Sequence, residues 1–272
     1  MTLNLLDRLF PGRDAVLLDG AMGTSLLEQG WPVSEPTLLA NLHQPGLVAS
    51  VHVAHREAGA RVLHTNTFGA LTTALTSGKQ RTDAVAAAVR IARKAAGGQA
   101  KLAGALAAWD LPAHVTQLED VVRALLDEGI DMLVFETCNT VRDALLAIEV
   151  HAELASRVPA VLCLSSTDGT REDAKRIEEC ATRVLGAETG MELGLNCCRG
   201  PTEAFKLALA LPAAPRWCKP NTGPADEPVD DNVMAAFARA ARQRGVRFLG
   251  GCCGTGPETL LVMAAALDAL GD

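Results

Sequence analysis

Met132-Leu133-Val134-Phe135-Glu136-Thr137 begins the stretch that decides the fold. It is followed by an amphipathic, alanine-bearing segment over residues 140–156 and a second apolar run over residues 160–166. Both runs are short and nearly unbroken, as strands covered on two faces are, while the segment between them keeps apolar residues at helical spacing. A strand, helix, strand unit of this length pairs its strands in parallel. The same alternation runs outward in both directions. Candidate strands lie at residues 15–20, 61–67, 101–107, 132–137, 160–166, 191–197, 215–221 and 248–252, and helical patterns follow at 38–57, 82–96, 118–128, 140–156, 171–185, 202–209, 230–242 and 257–270. About eight such units predict an α/β fold, a closed (β/α)8 barrel forming one domain over residues 1–272, with a doubly wound open sheet as the alternative.

The polar residues fall where a barrel would use them. The candidate strands end in Asp19-Gly20, Thr65-Asn66-Thr67, Glu136-Thr137, Asn196-Cys197, Asn221-Thr222-Gly223 and Cys252-Cys253. In a barrel these C-terminal ends ring one mouth, the face on which barrel enzymes carry their chemistry. Asp, Asn and Thr also serve there as turn formers and helix caps, a role that suits Thr67 and Thr137. Glu136 is harder to explain that way, because a carboxylate closing an apolar strand is desolvated unless it meets a cation.

Three cysteines carry the strongest chemical signal. Gly250-Gly251-Cys252-Cys253-Gly254-Thr255 and Gly194-Leu195-Asn196-Cys197 supply three thiolates if the two segments meet. That set leaves one tetrahedral position open, the arrangement of a catalytic rather than a structural zinc. Neighbouring residues on a strand point to opposite faces, so Cys252 and Cys253 converge only through a turn, which the flanking glycines permit. Asn221 ends the seventh candidate strand, between those bearing Cys197 and Cys252, and is expected at or beside the fourth position. Cys138, Cys163, Cys180 and Cys218 read as small buried hydrophobes.

Bulk properties narrow the function classes. A net charge of -7 argues against a nucleic-acid or anionic-membrane partner, both of which select a basic face. Apolar stretches such as residues 260–270 are too short to span a bilayer and are interrupted by Asp268. Nothing at residues 1–10 resembles a secretory signal, so a cytoplasmic location is expected, where eight cysteines bind metals or do chemistry instead of pairing.

Taken together, Asp19-Gly20-Ala21-Met22-Gly23-Thr24, Ala58-Gly59-Ala60, Thr65-Asn66-Thr67-Phe68-Gly69, Phe135-Glu136-Thr137, Gly194-Leu195-Asn196-Cys197, Lys219-Pro220-Asn221-Thr222-Gly223 and Gly250-Gly251-Cys252-Cys253-Gly254-Thr255-Gly256-Pro257 resemble the homocysteine S-methyltransferase family. The resemblance spans essentially the whole chain. It implies a barrel holding Zn2+ through Cys197, Cys252 and Cys253, with the thiolate of homocysteine on the metal. It also implies that Asp19, Gly20 and Glu136 hold the amino and carboxyl groups of homocysteine, with Ala21, Thr65 and Asn66 on the same substrate wall. Asp19, Glu136 and Asn221 are the further residues expected to serve catalysis. Three protein thiolates leave the ion little residual charge, so a fourth, substrate thiolate stays electron-rich.

Departures from the family pattern bear on the methyl donor. After the third strand many members carry a long Gly-Ser-x-Gly-Pro loop, whereas this chain has Gly104-Ala105-Leu106-Ala107-Ala108-Trp109-Asp110 and reaches the next helix at once. The aromatic position often preceding Pro-Asn is Lys219. With no corrinoid or folate module accompanying the barrel, a small onium donor such as S-methylmethionine is expected. Trp31, Trp109 and Phe68 lie beyond strand ends, as an aromatic wall for a methyl-onium cation or as hydrophobic cover. Two other functions fit the same residues: a homocysteine-activating subunit that takes methyl from a separate carrier protein, and a non-catalytic zinc or thiol sensor.

Overall fold

In a computed structural model of the chain, the structure describes residues 5–71, 77–166, 168–187, 190–222 and 228–270. Eight parallel strands form its centre: β1 (Val16–Leu17), β2 (Val62–His64), β3 (Lys101–Ala107), β4 (Met132–Cys138), β5 (Ala160–Leu164), β6 (Glu192–Cys197), β7 (Trp217–Pro220) and β8 (Phe248–Leu249). Their hydrogen-bonded order runs β1-β8-β7-β6-β5-β4-β3-β2, and a parallel bridge between Leu18 and Val62 joins the two ends. The sheet is thereby closed into the expected (β/α)8 barrel.

Side-chain alternation explains why the apolar runs are continuous. Val16, Leu18, Val62, Ala103, Met132, Val134, Val161, Cys163, Trp217 and Phe248 form one buried cluster inside the barrel. Their strand neighbours, among them Leu17, Leu63, Leu133, Phe135, Leu162, Leu195 and Leu249, belong to a second cluster outside it, against the helices. Both faces of each strand are thus apolar, with a period of two separating inner from outer residues. The inner set stacks into a column: Phe10 meets Phe248 edge-on at 5.5 Å, Phe248 stacks on Trp217 at 5.3 Å, and His64 lies edge-on to Trp217 at 5.4 Å. Apolar filling therefore stops at His64, and polar chemistry begins there.

The outer layer consists of α1 (Leu5–Leu9), α2 (Met22–Glu28), α3 (Ala40–His43), α4 (Pro45–Glu57), α5 (Gly78–Ala96), α6 (Val115–Asp127), α7 (Val141–Leu154), α8 (Arg171–Gly186), α9 (Pro201–Ala210), α10 (Asp231–Gln243) and α11 (Pro257–Asp268). Three features differ from the sequence expectation. The helix expected over residues 38–57 is broken at Gln44 (φ -137°), because Pro45 excludes helical geometry from the residue before it and removes a donor. Helix α1 was not expected and closes the N-terminal end of the barrel with Leu6 and Phe10. Helix α2 is a short element, with Gly23 inside it, that follows β1 immediately after Asp19 and Gly20. Gly223 of the seventh strand motif lies outside the described residues.

Candidate active site at the barrel mouth

The three cysteines meet. Their sulfur atoms all lie within 4.8 Å of one another, and Cys197 Sγ is 3.1 Å from Cys252 Sγ. Among the described residues no other group of three metal-ligating side chains gathers this closely. A tetrahedral zinc with Zn–S bonds of about 2.3 Å sets its sulfurs roughly 3.8 Å apart, so this donor set fits such an ion in chemistry and in spread. Cys197 reaches the cluster from a left-handed residue (φ 55°) at the end of β6. The Cys252-Cys253 segment is pinned to β7 by bonds from Cys252 N–H to Pro220 O (2.8 Å) and from Thr222 N–H to Cys253 O (3.1 Å).

The glycines beside the cysteines act mainly through close approach. A Cβ on Gly250 would lie 2.6 Å from Leu18 Cβ, and one on Gly251 would lie 2.1 Å from Thr255 Oγ1. Of the glycines at this turn, only Gly254, at φ 80°, uses the left-handed region.

Hydrogen bonds place a charge unevenly over the thiols. Contact with the other two thiols lowers Cys253 below the ordinary thiol range, while the same cluster pushes Cys197 above it. Asn196 assists from below. Its Oδ1 accepts Thr137 N–H at 2.8 Å, and its Nδ2 points at Cys197 Sγ (3.6 Å) and Cys252 Sγ (4.0 Å). Asn221 spends its amide on the cysteine loops, accepting Cys253 N–H on Oδ1 (3.1 Å) and donating from Nδ2 to Cys198 O (3.0 Å).

Beside the thiols lies a buried charge cluster that the sequence disclosed only in part. Asp19 Oδ1 accepts from Lys219 Nζ at 2.7 Å and contacts His64 Nδ1 at 2.7 Å, and Asp19 Oδ2 accepts His64 N–H at 2.6 Å. Burial opposes this ionisation, but Lys219 and His64 outweigh it and hold the Asp19 carboxyl far below its ordinary range. The Glu136 carboxylate makes no hydrogen bond to a described residue, and His64 Nε2, itself buried without a hydrogen-bond partner, stands 3.7 Å from its Oε1. Burial pushes Glu136 up, offset in part by His64 and Lys219. Residues of β2 and β7 thus offset only part of that burial, and the Glu136 carboxylate keeps no hydrogen-bonded cation among the described residues.

A cavity of about 200 Å³ opens over these groups, walled by Gly20–Thr24, Thr37, His64, Thr65, Asn66, Phe68, Ala105, Glu136, Lys219 and the three cysteines. Thr65 and Asn66 reach this wall with their polar atoms already bonded to the framework. Thr65 Oγ1 pairs with Thr67 Oγ1 at 2.7 Å, and Asn66 Nδ2 donates to Thr37 O at 2.7 Å. Phe68 lines the cavity, and Trp109 packs edge-on to it at 4.9 Å with its outer side half exposed. Trp31 is instead buried in a separate cluster with Leu26, Ala40, Val48 and Val51, which makes it cover. Cys138, Cys163, Cys180 and Cys218 are buried, as their reading as hydrophobes expected.

The clustered thiols and the buried carboxylate thus sit at the C-terminal mouth of a (β/α)8 barrel, the face on which barrel enzymes carry their chemistry. Residues 16–267 match the family described as homocysteine S-methyltransferase, so the chain belongs to that family and is a methyltransferase. It is 28% identical to the S-methylmethionine–homocysteine S-methyltransferase BHMT2 of Pongo abelii, over 97% of this chain and 81% of that protein. It is 29% identical to betaine–homocysteine S-methyltransferase 1 of Xenopus laevis, over 97% of this chain and 75% of that protein. The metallated homocysteine methyltransferase MmuM of Escherichia coli shares the fold, with a TM-score of 0.78 at 22% identity over 96% of this chain and 99% of that one.

Proposed function

We propose that the chain is a zinc-dependent methyltransferase that makes methionine from homocysteine and a small onium donor such as S-methylmethionine. The observation that carries this reading is the convergence of Cys197, Cys252 and Cys253 on a cavity whose wall also presents Glu136. Zinc held by the three cysteines would supply thiol acidity, so that the acceptor sulfur is anionic near neutral pH. Glu136 meets the acceptor ammonium, which restores to that carboxylate the partner its burial calls for. Asn196 and Asn221 hold the cysteine loops in register. The small cavity brings the acceptor sulfur against the donor methyl. The methyl then forms a bond to that sulfur as its bond to the onium sulfur breaks, and the donor leaves as a neutral thioether. Phe68, backed by Trp109, offers its face to the donor cation.

Among the described residues no helix is long and apolar enough to cross a membrane, and a cytoplasmic location is part of the proposal. The exposed edge of Trp109 beside the short connection after β3 favours a second reading, in which a separate methyl-carrying protein docks at the mouth and delivers the methyl group. One assay distinguishes the two. The zinc-loaded protein is incubated with homocysteine and, in turn, S-methylmethionine, S-adenosylmethionine, betaine and a methylated corrinoid protein, and methionine is measured. Product from an onium compound alone supports the first reading, product only with the corrinoid protein supports the second, and product from none overturns both.

A further inference from the structure

Two groups of opposite charge face the mouth cavity with bonding capacity to spare. Lys219, 3% exposed, gives one N–H to Asp19 at 2.7 Å and contacts His64 Nδ1 at 3.1 Å, so at least one of its three donors has no partner among the described residues. The Glu136 carboxylate has no hydrogen bond to a described residue and lies across the same imidazole, 3.7 Å from His64 Nε2. Both side chains line the cavity. Asp19 does not: it stands behind them, with Oδ1 taken by Lys219 and His64 and Oδ2 by the backbone of His64.

We propose that Lys219 binds the α-carboxylate of the acceptor amino acid whose ammonium Glu136 holds in the reading above, and that Asp19 is the buried counter-ion holding Lys219 in position. This rests on the reading that the acceptor is a thiol amino acid held through sulfur at the cysteine cluster. An amino acid carries its anion and cation on one carbon. The cavity presents a cation and an anion on either side of one imidazole ring, in the complementary sense. A lysine ammonium has three donors and can serve Asp19 and a substrate carboxylate together, whereas a substrate ammonium aimed at Asp19 would have to pass the like-charged Lys219. The period of two along β7 explains how the residue arrives there: Trp217 fills the barrel interior, so Lys219 points inward one layer higher.

Three thiols separate the two contacts: homocysteine, 3-mercaptopropylamine, which lacks the carboxylate, and 4-mercaptobutyrate, which lacks the ammonium. Each is titrated calorimetrically into the zinc-loaded parent, into Glu136→Gln, and into a double variant carrying Lys219→Met and Asp19→Asn, which removes the cation without orphaning its counter-ion. In the parent, homocysteine should bind at least about tenfold tighter than either analogue, the usual effect of one hydrogen bond to a charged group. The double variant should lose the advantage over 3-mercaptopropylamine and keep that over 4-mercaptobutyrate, and Glu136→Gln should do the reverse. Lys219→Gln, which keeps a donor for Asp19 but no charge, should follow the double variant and covers the case in which the latter does not fold. An unchanged preference for homocysteine over 3-mercaptopropylamine in both Lys219 variants would overturn the inference alone. Failure of all three thiols to bind the zinc-loaded parent would overturn the acceptor reading and the inference with it.

Discussion

Asn221 Oδ1 accepts the backbone N–H of Cys253 at 3.1 Å, while the other end of the same amide donates to Cys198 O at 3.0 Å. One side chain at the end of β7 therefore ties the loop that carries Cys197 to the loop that carries Cys252 and Cys253. Groups that orient metal ligands typically contribute about ten- to a hundredfold in metal affinity. Asn221→Ala should keep the fold and weaken zinc by that factor, read by competition with a chromophoric chelator. A loss smaller than about threefold would mean that the two loops hold their register without it.

The cysteines should show a matching proton inventory. Contact among the three thiols lowers Cys253 and raises Cys197 and Cys252, so the metal-free cluster gives up one proton more readily than the other two. Three thiolates on zinc then require the release of the protons that the free cluster still holds, so apparent affinity should climb as pH rises toward the ordinary thiol range. Calorimetry in buffers of different ionisation enthalpy counts those protons directly. Cys197→Ser, Cys252→Ser and Cys253→Ser should each lose metal and activity together; full zinc occupancy in a Cys252→Ser, Cys253→Ser double variant would sink the ligand assignment.

Much of this was legible from the order of residues. Continuous apolar runs such as residues 132–137 announce strands buried on both faces, and their polar ends announce the mouth. His64 and Lys219 were harder to assign, although the signal existed: Val62 and Trp217 face inward, so the residues two positions on do so as well. The family resemblance set Asp19 beside Glu136 at the amino and carboxyl groups of the acceptor, and in the inference above Asp19 takes the part of counter-ion to Lys219. The fold encloses Asp19 behind Lys219 and His64, a contact between β1, β2 and β7 that no local pattern encodes. The break at Gln44 was local and readable from Pro45; helix α2 was not, because Gly23 and a seven-residue length give it little helical signature.

A buried histidine gives the fold a pH limit. His52 on α4 is fully buried, both of its ring nitrogens lack partners among the described residues, and burial lowers it to about 4 from an ordinary 6.5. The unfolded chain therefore takes up the proton first as pH falls. Stability should be intact above about 6.5 and decline between there and about 4, by something on the order of 3 kcal/mol at 1.36 kcal/mol per pH unit. His55, also lowered by burial, acts in the same sense. Urea denaturation at several pH values checks this. His52→Leu should flatten the profile in that window, and a variant as pH-sensitive as the parent would assign the decline to other groups.

Glu136 separates acceptor recognition from metal binding. Its carboxylate projects from β4 into the cavity, it is no part of the thiol cluster, and the described residues leave it without a hydrogen bond. Glu136→Gln preserves shape and removes charge, so zinc content should stay at the parental level. Truncating one partner of a buried charge pair costs about 2 to 5 kcal/mol, and homocysteine affinity should therefore fall roughly thirtyfold or more. The loss should appear as a raised homocysteine requirement at unchanged metal occupancy, the opposite of the cysteine variants, which lose the ion itself. Because burial already raises Glu136, the parent should also bind homocysteine less well as pH falls and the carboxyl takes up a proton, and Glu136→Gln should lack that dependence. If Glu136→Gln binds homocysteine as tightly as the parent, the carboxylate is a structural group at a strand end, and the ammonium must be held by a different residue of the mouth.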